Sequence, residues 1–306
     1  MGDFDVVVVG SSNIDLVSYT PKFPSPGETI MGGEFAQGFG GKGANQAVLI
    51  GKLGGKVAMV SKVGQDSFGA DFKRNYQQVG VDSRYVGDAE PGVATGTAAI
   101  IVDSAGENCI VVCPGANMKM VPEDVDAAAE LMQKTKVVVM QNEIPLPVTQ
   151  RALEVAKKAG ACTIWNIAPC PAEAKDYPPE MFQLTDVLCV NESEAQSMGG
   201  VDGLLAKGVG VCLITLGKDG CKVVTKDGQQ HLPGVVVPAG KVVDTTGAGD
   251  AFTGAFALFK GKGLGDAAAA EAACKIAALT VQKKGTQSSY PTHAEAVEAG
   301  AWPSGA

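Results

Sequence analysis

The residues best suited to chemistry in this 306-residue chain lie in the run DTTGAGDAF, residues 244–252. Gly247 and Gly249 permit a turn whose backbone amides converge on an anion. The apolar run that follows predicts a helix, and its dipole adds to that attraction. No Lys-Ser/Thr pair follows the glycines, so the segment is not a Walker-type loop. Asp250 falls in the first turn of the predicted helix, where a carboxylate would repel a bound phosphate unless it had another task. Taking the proton from a hydroxyl that attacks a γ-phosphoryl group is such a task. The plainer alternative is a favourable charge at a helix N-terminus.

A second glycine-rich run, GFGGKGANQA at residues 38–47, spells Gly38-x-Gly40-x-x-Gly43 and formally matches the dinucleotide fingerprint. That match fails on context, because the fingerprint must follow the first buried strand directly, and here Pro/Gly-rich sequence intervenes. The better reading is that Gly40, Gly41 and Gly43 let backbone amides approach a small ligand. Lys42 and Asn45 would then aim donors at it from a helix N-terminus. Polar residues also recur where predicted strands end: Asn13 and Asp15 after Gly10-Ser11-Ser12, then Asn142 and Glu143, Asn166, and Asn191 with Glu194. Ligands of open α/β sheets bind beyond the carboxyl ends of strands, and an Asn and an Asp there could hold a polyol. Taken alone, Asp15 is equally a turn residue.

The elements that must position these residues alternate. Short β-branched runs at 6–9, 57–60, 137–140, 163–166, 187–190 and 212–216 predict buried strands of a mostly parallel sheet. Helical patterns fill the intervals at 44–53, 68–78, 122–132, 147–158, 248–260 and 267–281. The class is therefore α/β. Residues 26–39 and 97–113 lack helical periodicity, and the latter predicts two strands, 98–103 and 109–113, joined at Gly106. Such a β appendage could be a lid, a pairing edge for a second subunit, or an ordinary surface hairpin.

Composition narrows the field. Net charge is −8 and no Lys/Arg cluster stands out, which argues against nucleic-acid partners. The 40 glycines are nearly twice the usual ~7% and suit tight turns and close ligand approach. Eight cysteines show no C-x-x-C pair and there are only two histidines, so buried thiols are expected rather than a zinc site. The start of the chain is acidic and no apolar run nears the ~18 residues of a membrane span, so a cytoplasmic protein is expected.

GGKGANQA together with DTTGAGDAF resembles the paired signatures of the PfkB carbohydrate kinase family, and NEIP, NESE, TLG and KGTQSS resemble its ribokinases. The similarity runs from about residue 6 to 291. It implies a three-layer α/β/α ribokinase-like fold with a mostly parallel central sheet and a small β-sheet lid. The expected organisation is a single domain over 1–306 with lid segments at about 15–39 and 97–113. The implied activity is ATP-dependent phosphorylation of D-ribose at O5. Alternatives are a kinase for 2-deoxyribose, adenosine or fructose, and a non-catalytic sugar or nucleotide sensor, which would have no need of Asp250.

By the same resemblance, Asn13, Asp15, Gly41, Lys42, Asn45 and Glu143 would hold the sugar, with Asp250 as base at its primary hydroxyl. Gly247, Ala248 and Gly249 would form the anion hole. Asn191 would meet the nucleotide phosphates, Asn191 and Glu194 would influence Mg2+, and Thr215, Gly217 and Gly220 would border the nucleoside, with Gly249 also at the ATP. A potassium ion would lie against Asp244, Thr246, Thr280, Lys283, Gly285 and Ser289, mostly through backbone carbonyls. A homodimer through lid strands and a cytoplasmic location, with nuclear access open, are implied as well. Residues 201–210 form a shorter connection than ribokinases usually carry, and Cys274 stands where a larger polar residue near the adenine is common.

Overall fold

The computed structural model describes residues 3–170 and 177–306. In chain order the first half contains β1 (Phe4–Val9), β2 (Asn13–Tyr19), β3 (Glu34–Gly40), α1 (Lys42–Lys52), β4 (Val57–Val63), α2 (Ser67–Gln78), β5 (Val81–Asp88), β6 (Gly96–Val102), β7 (Asn108–Cys113), α3 (Pro122–Ala127), α4 (Ala129–Gln133) and β8 (Thr135–Met140). The second half contains α5 (Leu146–Lys158), β9 (Cys162–Asn166), α6 (Pro179–Gln183), β10 (Val187–Asn191), α7 (Glu192–Ser197), α8 (Gly200–Ala206), β11 (Val211–Thr215), β12 (Cys221–Thr225), β13 (Gly228–Leu232), α9 (Ala248–Gly261), α10 (Asp266–Thr280) and α11 (His293–Glu298).

The large sheet runs β13-β12-β11-β10-β9-β8-β1-β4-β5. Its strands pair in parallel from β11 through to β5, and β12 and β13 close one edge antiparallel. The valine run of β1 explains its central place, since a strand covered on both faces must be apolar on both. Val6 and Val8 enter a core shared with α1, α2, α9 and α10, and Val7 and Val9 enter a second core with α3 to α8. The result is three layers.

The second sheet, β3-β2-β6-β7, is built from the segments expected to form a lid. Its outer pairs are antiparallel, but β2 and β6 run parallel, from Asn13 opposite Gly96 to Tyr19 opposite Val102. Only Gly10, Ser11 and Ser12 separate β1 from β2, and only Gly41 separates β3 from α1. The sugar-type residues therefore sit where the two sheets join. β7 is one of the two edge strands of this sheet, with Ile110 49%, Val111 60% and Val112 49% exposed.

Several expected elements differ. The helix expected at 122–132 is broken at Ala128 (φ −94°, ψ 5°) into α3 and α4, and Leu131 N bonds Ala128 O three residues back, in a tighter turn. β5 and the β12–β13 hairpin carry too many polar residues to show a buried-strand pattern and were not expected. The short connection at 201–210 still builds α8, with Leu204 buried beneath it.

Candidate active site

β1 leads away toward β4 and β8 toward β9, so the connections diverge and open a crevice at the carboxyl ends of β1 and β8. Glu143, just past β8, reaches into it. Its Oε2 accepts from Ser11 Oγ at 2.5 Å and from the Lys42 backbone N at 2.9 Å. A carboxylate is stabilised there by the unpaired amides and dipole of the α1 N-terminus.

Asp250 lies in the first turn of α9 and is 7% exposed. The helix begins at Gly247, whose φ of 75° is ready only for glycine. Each carboxylate oxygen has its own partner: Asn45 Nδ2 donates to Oδ2 at 2.9 Å, and Gln46 Nε2 to Oδ1 at 3.2 Å. Behind these stand further buried amides. Gln141 Nε2 donates to Gln46 Oε1 at 2.7 Å, Gln46 Nε2 also reaches Asn166 Oδ1 at 3.2 Å, and Gln287 Nε2 donates to Asn45 Oδ1 at 3.0 Å. Gln46, Gln141 and Gln287 are absent from the sequence-based site. The available signal was a glutamine inside each of the apolar or glycine-rich runs ANQA, VMQN and GTQS.

Of the three expected anion-hole amides, those of Gly247 and Gly249 end on no acceptor among the described residues, whereas that of Ala248 donates to Thr245 O at 3.2 Å. Asp250 raises the affinity of the half-buried Lys42 ammonium for its proton, against the opposing effect of burial, and Glu143 and Glu194 add to the raise. Asp15 is shifted the same way, but for a carboxyl this favours the neutral form. Desolvation, then the negative charges of Glu143 and Asp250, push its carboxyl up to about 7. Its side chain lies against Gly40, where an added Cβ would collide with it. Asp15 also lines a cleft of about 920 Å3 between the lid and residues 242–246 and 284–288, large enough for a small polar ligand.

Across the crevice, Asn191 and Thr215 are register partners on β10 and β11, which brings the expected phosphate and nucleoside motifs side by side. Gly217 and Gly220 flank the 3-10 turn directly after β11. Asn191 and Glu194 form a reciprocal cap on α7, each backbone N–H bonded to the other side chain at 2.8 Å. Cys274 packs its sulfur 3.6 Å from that of Cys221 on β12.

Among the described residues no His, Cys, Asp and Glu cluster makes an all-protein metal cage. Glu194 offers one carboxylate oxygen beyond that bonded to Asn191 N, which suits a magnesium ion that arrives with nucleotide phosphates and keeps most of its other ligands. The potassium-type loop fits a monovalent cation differently. Asp244 ties two segments together, its Oδ1 accepting Thr246 N and its Oδ2 accepting Gly285 N, both at 2.9 Å. Burial alone would raise the Asp244 carboxyl, but the bonds from Thr246 and Gly285 outweigh it and hold it below the ordinary value. Among the described residues no backbone hydrogen bond ends on the carbonyls of Thr246, Lys283, Gly285 or Ser289, so hard oxygens are available, while the Thr280 carbonyl accepts Lys283 N at 3.2 Å.

The sequence profile of the pfkB family carbohydrate kinases matches residues 3–293. The chain belongs to this family. This pfkB kinase is 42% identical over 302 residues to a ribokinase of Mus musculus, covering 94% of this chain and 91% of that protein. It is 37% identical over 300 residues to a deoxyribokinase of Salmonella typhi, covering 94% and 96%. Among solved structures, Arabidopsis thaliana ribokinase complexed with ribose and ATP matches with a TM-score of 0.86 at 30% identity, over 98% of this chain and 99% of that one. Ribokinase from Thermotoga maritima matches with a TM-score of 0.85 at 34% identity, over 97% and 99%. The pfkB chain thus has the ribokinase-like fold.

Proposed function

We propose that this pfkB-family chain transfers the γ-phosphoryl group of ATP to O5 of D-ribose. The observation that carries this reading is Asp250, held at the N-terminus of α9 by Asn45 and Gln46 with the amides of Gly247 and Gly249 free beside it. A base and an anion cradle then share one helix end. Asp15 and Asn13 at the foot of the lid, with Gly41, Lys42, Asn45 and Glu143, hold the sugar so that its primary hydroxyl meets Asp250. As that oxygen forms its bond to the γ-phosphorus, Asp250 takes the proton, and the bond to the bridging oxygen breaks with its electron pair leaving on ADP.

The amides of Gly247 and Gly249 stabilise charge developing on the transferred group, while the amide of Ala248, expected beside them, is bonded to Thr245 O. Lys42 adds positive charge from the α1 N-terminus. Thr215, Gly217 and Gly220 border the nucleoside, and Asn191 meets the phosphates. Glu194, together with the nucleotide phosphates, would hold magnesium, which would supply neutralisation of phosphate charge. The carbonyls of Thr246, Lys283, Gly285 and Ser289 and the charge of Asp244 would hold potassium, which would supply rigidity to the loop that carries the amides. Thr280 backs that loop.

The exposed apolar edge of β7 supports a homodimer through lid strands, with Val111 at its centre. Among the described residues no helix is long and apolar enough to cross a membrane, and a cytoplasmic location agrees with the chemistry. The deoxyribokinase relative at 37% identity favours 2-deoxyribose as the second reading.

A coupled ADP-release assay with Mg-ATP and potassium decides between them, comparing D-ribose with 2-deoxyribose, adenosine and fructose. Selective turnover of ribose is expected. Preference for 2-deoxyribose would replace the substrate and keep the mechanism, and ATP binding without turnover of any acceptor would replace the kinase by a sensor.

A further inference from the structure

Two buried amides beyond the sugar residues settle which way those residues face. Asn117, fully buried in the turn after β7, accepts the backbone N–H of Ser12 on Oδ1 at 2.8 Å. A backbone amide can only donate, so this bond fixes the Asn117 side chain in one orientation. Its Nδ2 must then point the other way, donating to Ser12 O at 3.2 Å and to Asn13 Oδ1 at 2.7 Å. Turning Asn13 over would set one NH2 group against another. Asn13 is 3% exposed, and its Nδ2 has no protein partner among the described residues. Gly96 leaves room for this arrangement, because an added Cβ would strike both Asn13 Oδ1 and Asn117 Nδ2.

The same logic applies from the opposite side of the crevice. The Asp250 carboxylate accepts from Asn45 Nδ2, so Asn45 Oδ1 faces Gln287, which meets it with Nε2 at 3.0 Å. Gln287 Oε1 in turn accepts Asn75 Nδ2 at 2.9 Å. Asn13 and Asn45 have thus both spent their carbonyl oxygens on the protein. Asp15, two residues from Asn13 on the same face of β2, offers only acceptors when ionised, and its side chain makes no hydrogen bond among the described residues.

We infer that Asn117 and Gln287 are positioning residues that lock Asn13 and Asn45 as hydrogen-bond donors, so the pocket demands hydroxyls that donate to Asp15 and accept from Asn13 and Asn45. This rests on the proposed sugar site and adds the direction of each hydrogen bond. A hydroxyl facing Asn13 or Asn45 is used for its lone pairs and one facing Asp15 for its proton. Replacing a hydroxyl by fluorine keeps a weak acceptor and removes the donor. At an Asn13- or Asn45-facing carbon, fluorine therefore restores part of what a plain deoxy substitution loses, and at an Asp15-facing carbon it restores nothing.

The test titrates the unmodified protein with D-ribose and with each single deoxy and deoxyfluoro analogue at its hydroxyl carbons, and then repeats the series on Asn117→Asp. In the parent, at least one fluoro analogue should bind several-fold tighter than its deoxy counterpart. Asn117→Asp keeps the acceptor for Ser12 N but replaces the donor, so Asn13 turns its NH2 toward residue 117. Ribose KM should then rise by roughly tenfold or more, the fluorine preference at that carbon should vanish, and ATP KM should stay near the parent value. Gln287→Leu should remove the preference at a different carbon. Every fluoro analogue binding no better than its deoxy counterpart in the parent would overturn the inference, without any variant having to fold. So would parent-like ribose KM and fluorine preference in Asn117→Asp. A parent that turns over no sugar would instead remove the proposed function, and this inference with it.

Discussion

The Asp15 carboxyl, pushed up to about 7 by burial and by Glu143 and Asp250, makes sugar affinity depend on pH over an accessible range. A raised value means that Asp15 keeps its proton until pH climbs through about 7. Only the ionised form can accept from two sugar hydroxyls, so affinity is full above that value and is lost as pH falls below it. Between about pH 8.5 and about pH 5.5 the ionised fraction drops from nearly all to roughly 3%, which weakens ribose binding about 30-fold. Isothermal titration of D-ribose without nucleotide measures this directly, since no chemical step takes place. Sugar binding should also release about half a proton near pH 7, visible as a heat that varies with the ionisation enthalpy of the buffer. Asp15→Asn should bind ribose weakly with a nearly flat pH profile. A parent dissociation constant constant within about twofold over the same range, or an equal slope in Asp15→Asn, would refute the reasoning.

Four further outcomes are expected. Asp250→Asn keeps the size of the side chain but only one of its two bonds, because its NH2 must face that of Asn45 or Gln46, so ATP should bind as before and ribose somewhat more weakly while kcat falls by about 10²–10⁴; stopped-time product assays that find turnover within about tenfold of the parent would remove the base from this residue. Replacing potassium by sodium should slow the parent, and Asp244→Ala should be slow in both salts, because the segments joined at Thr246 and Gly285 come apart; a parent indifferent to the cation contradicts the loop assignment. Val111→Lys, on the exposed lid edge, should shift the mass seen by light scattering from dimer to monomer. Asp66→Ala removes the cap of α2 and the bonds from Thr95 N and Oγ1 that tie it to the start of the lid, and should cost about 1–2 kcal/mol in a denaturant titration.

The parallel strands of the large sheet from β1 to β11 other than β5, the helix expected at 248–260 and both glycine-rich motifs were legible because each is a local property of the chain. A run such as FDVVVV can only be a strand covered on both faces, and GAGD can only be a turn opening a helix. The β appendage was legible as a break in helical rhythm at 26–39 and 97–113, but β2, which carries Asn13 and Asp15, entered the expected lid at 15–39 only through the family resemblance, and its parallel pairing with β6 depends on a partner some eighty residues away. The amides behind the site were not legible at all. Gln46, Gln141, Gln287 and Asn117 look like ordinary polar residues in sequence, and they become parts of a site only because folding buries them together and aims their NH2 groups at acceptors of the site, even though Gln141 Oε1 is left without a partner among the described residues. The kinds of groups present were determined by the sequence itself. The direction in which Asn13, Asn45 and Asp250 present those groups was decided by tertiary packing, because a buried amide has no water to satisfy it and must take the orientation its neighbours leave open.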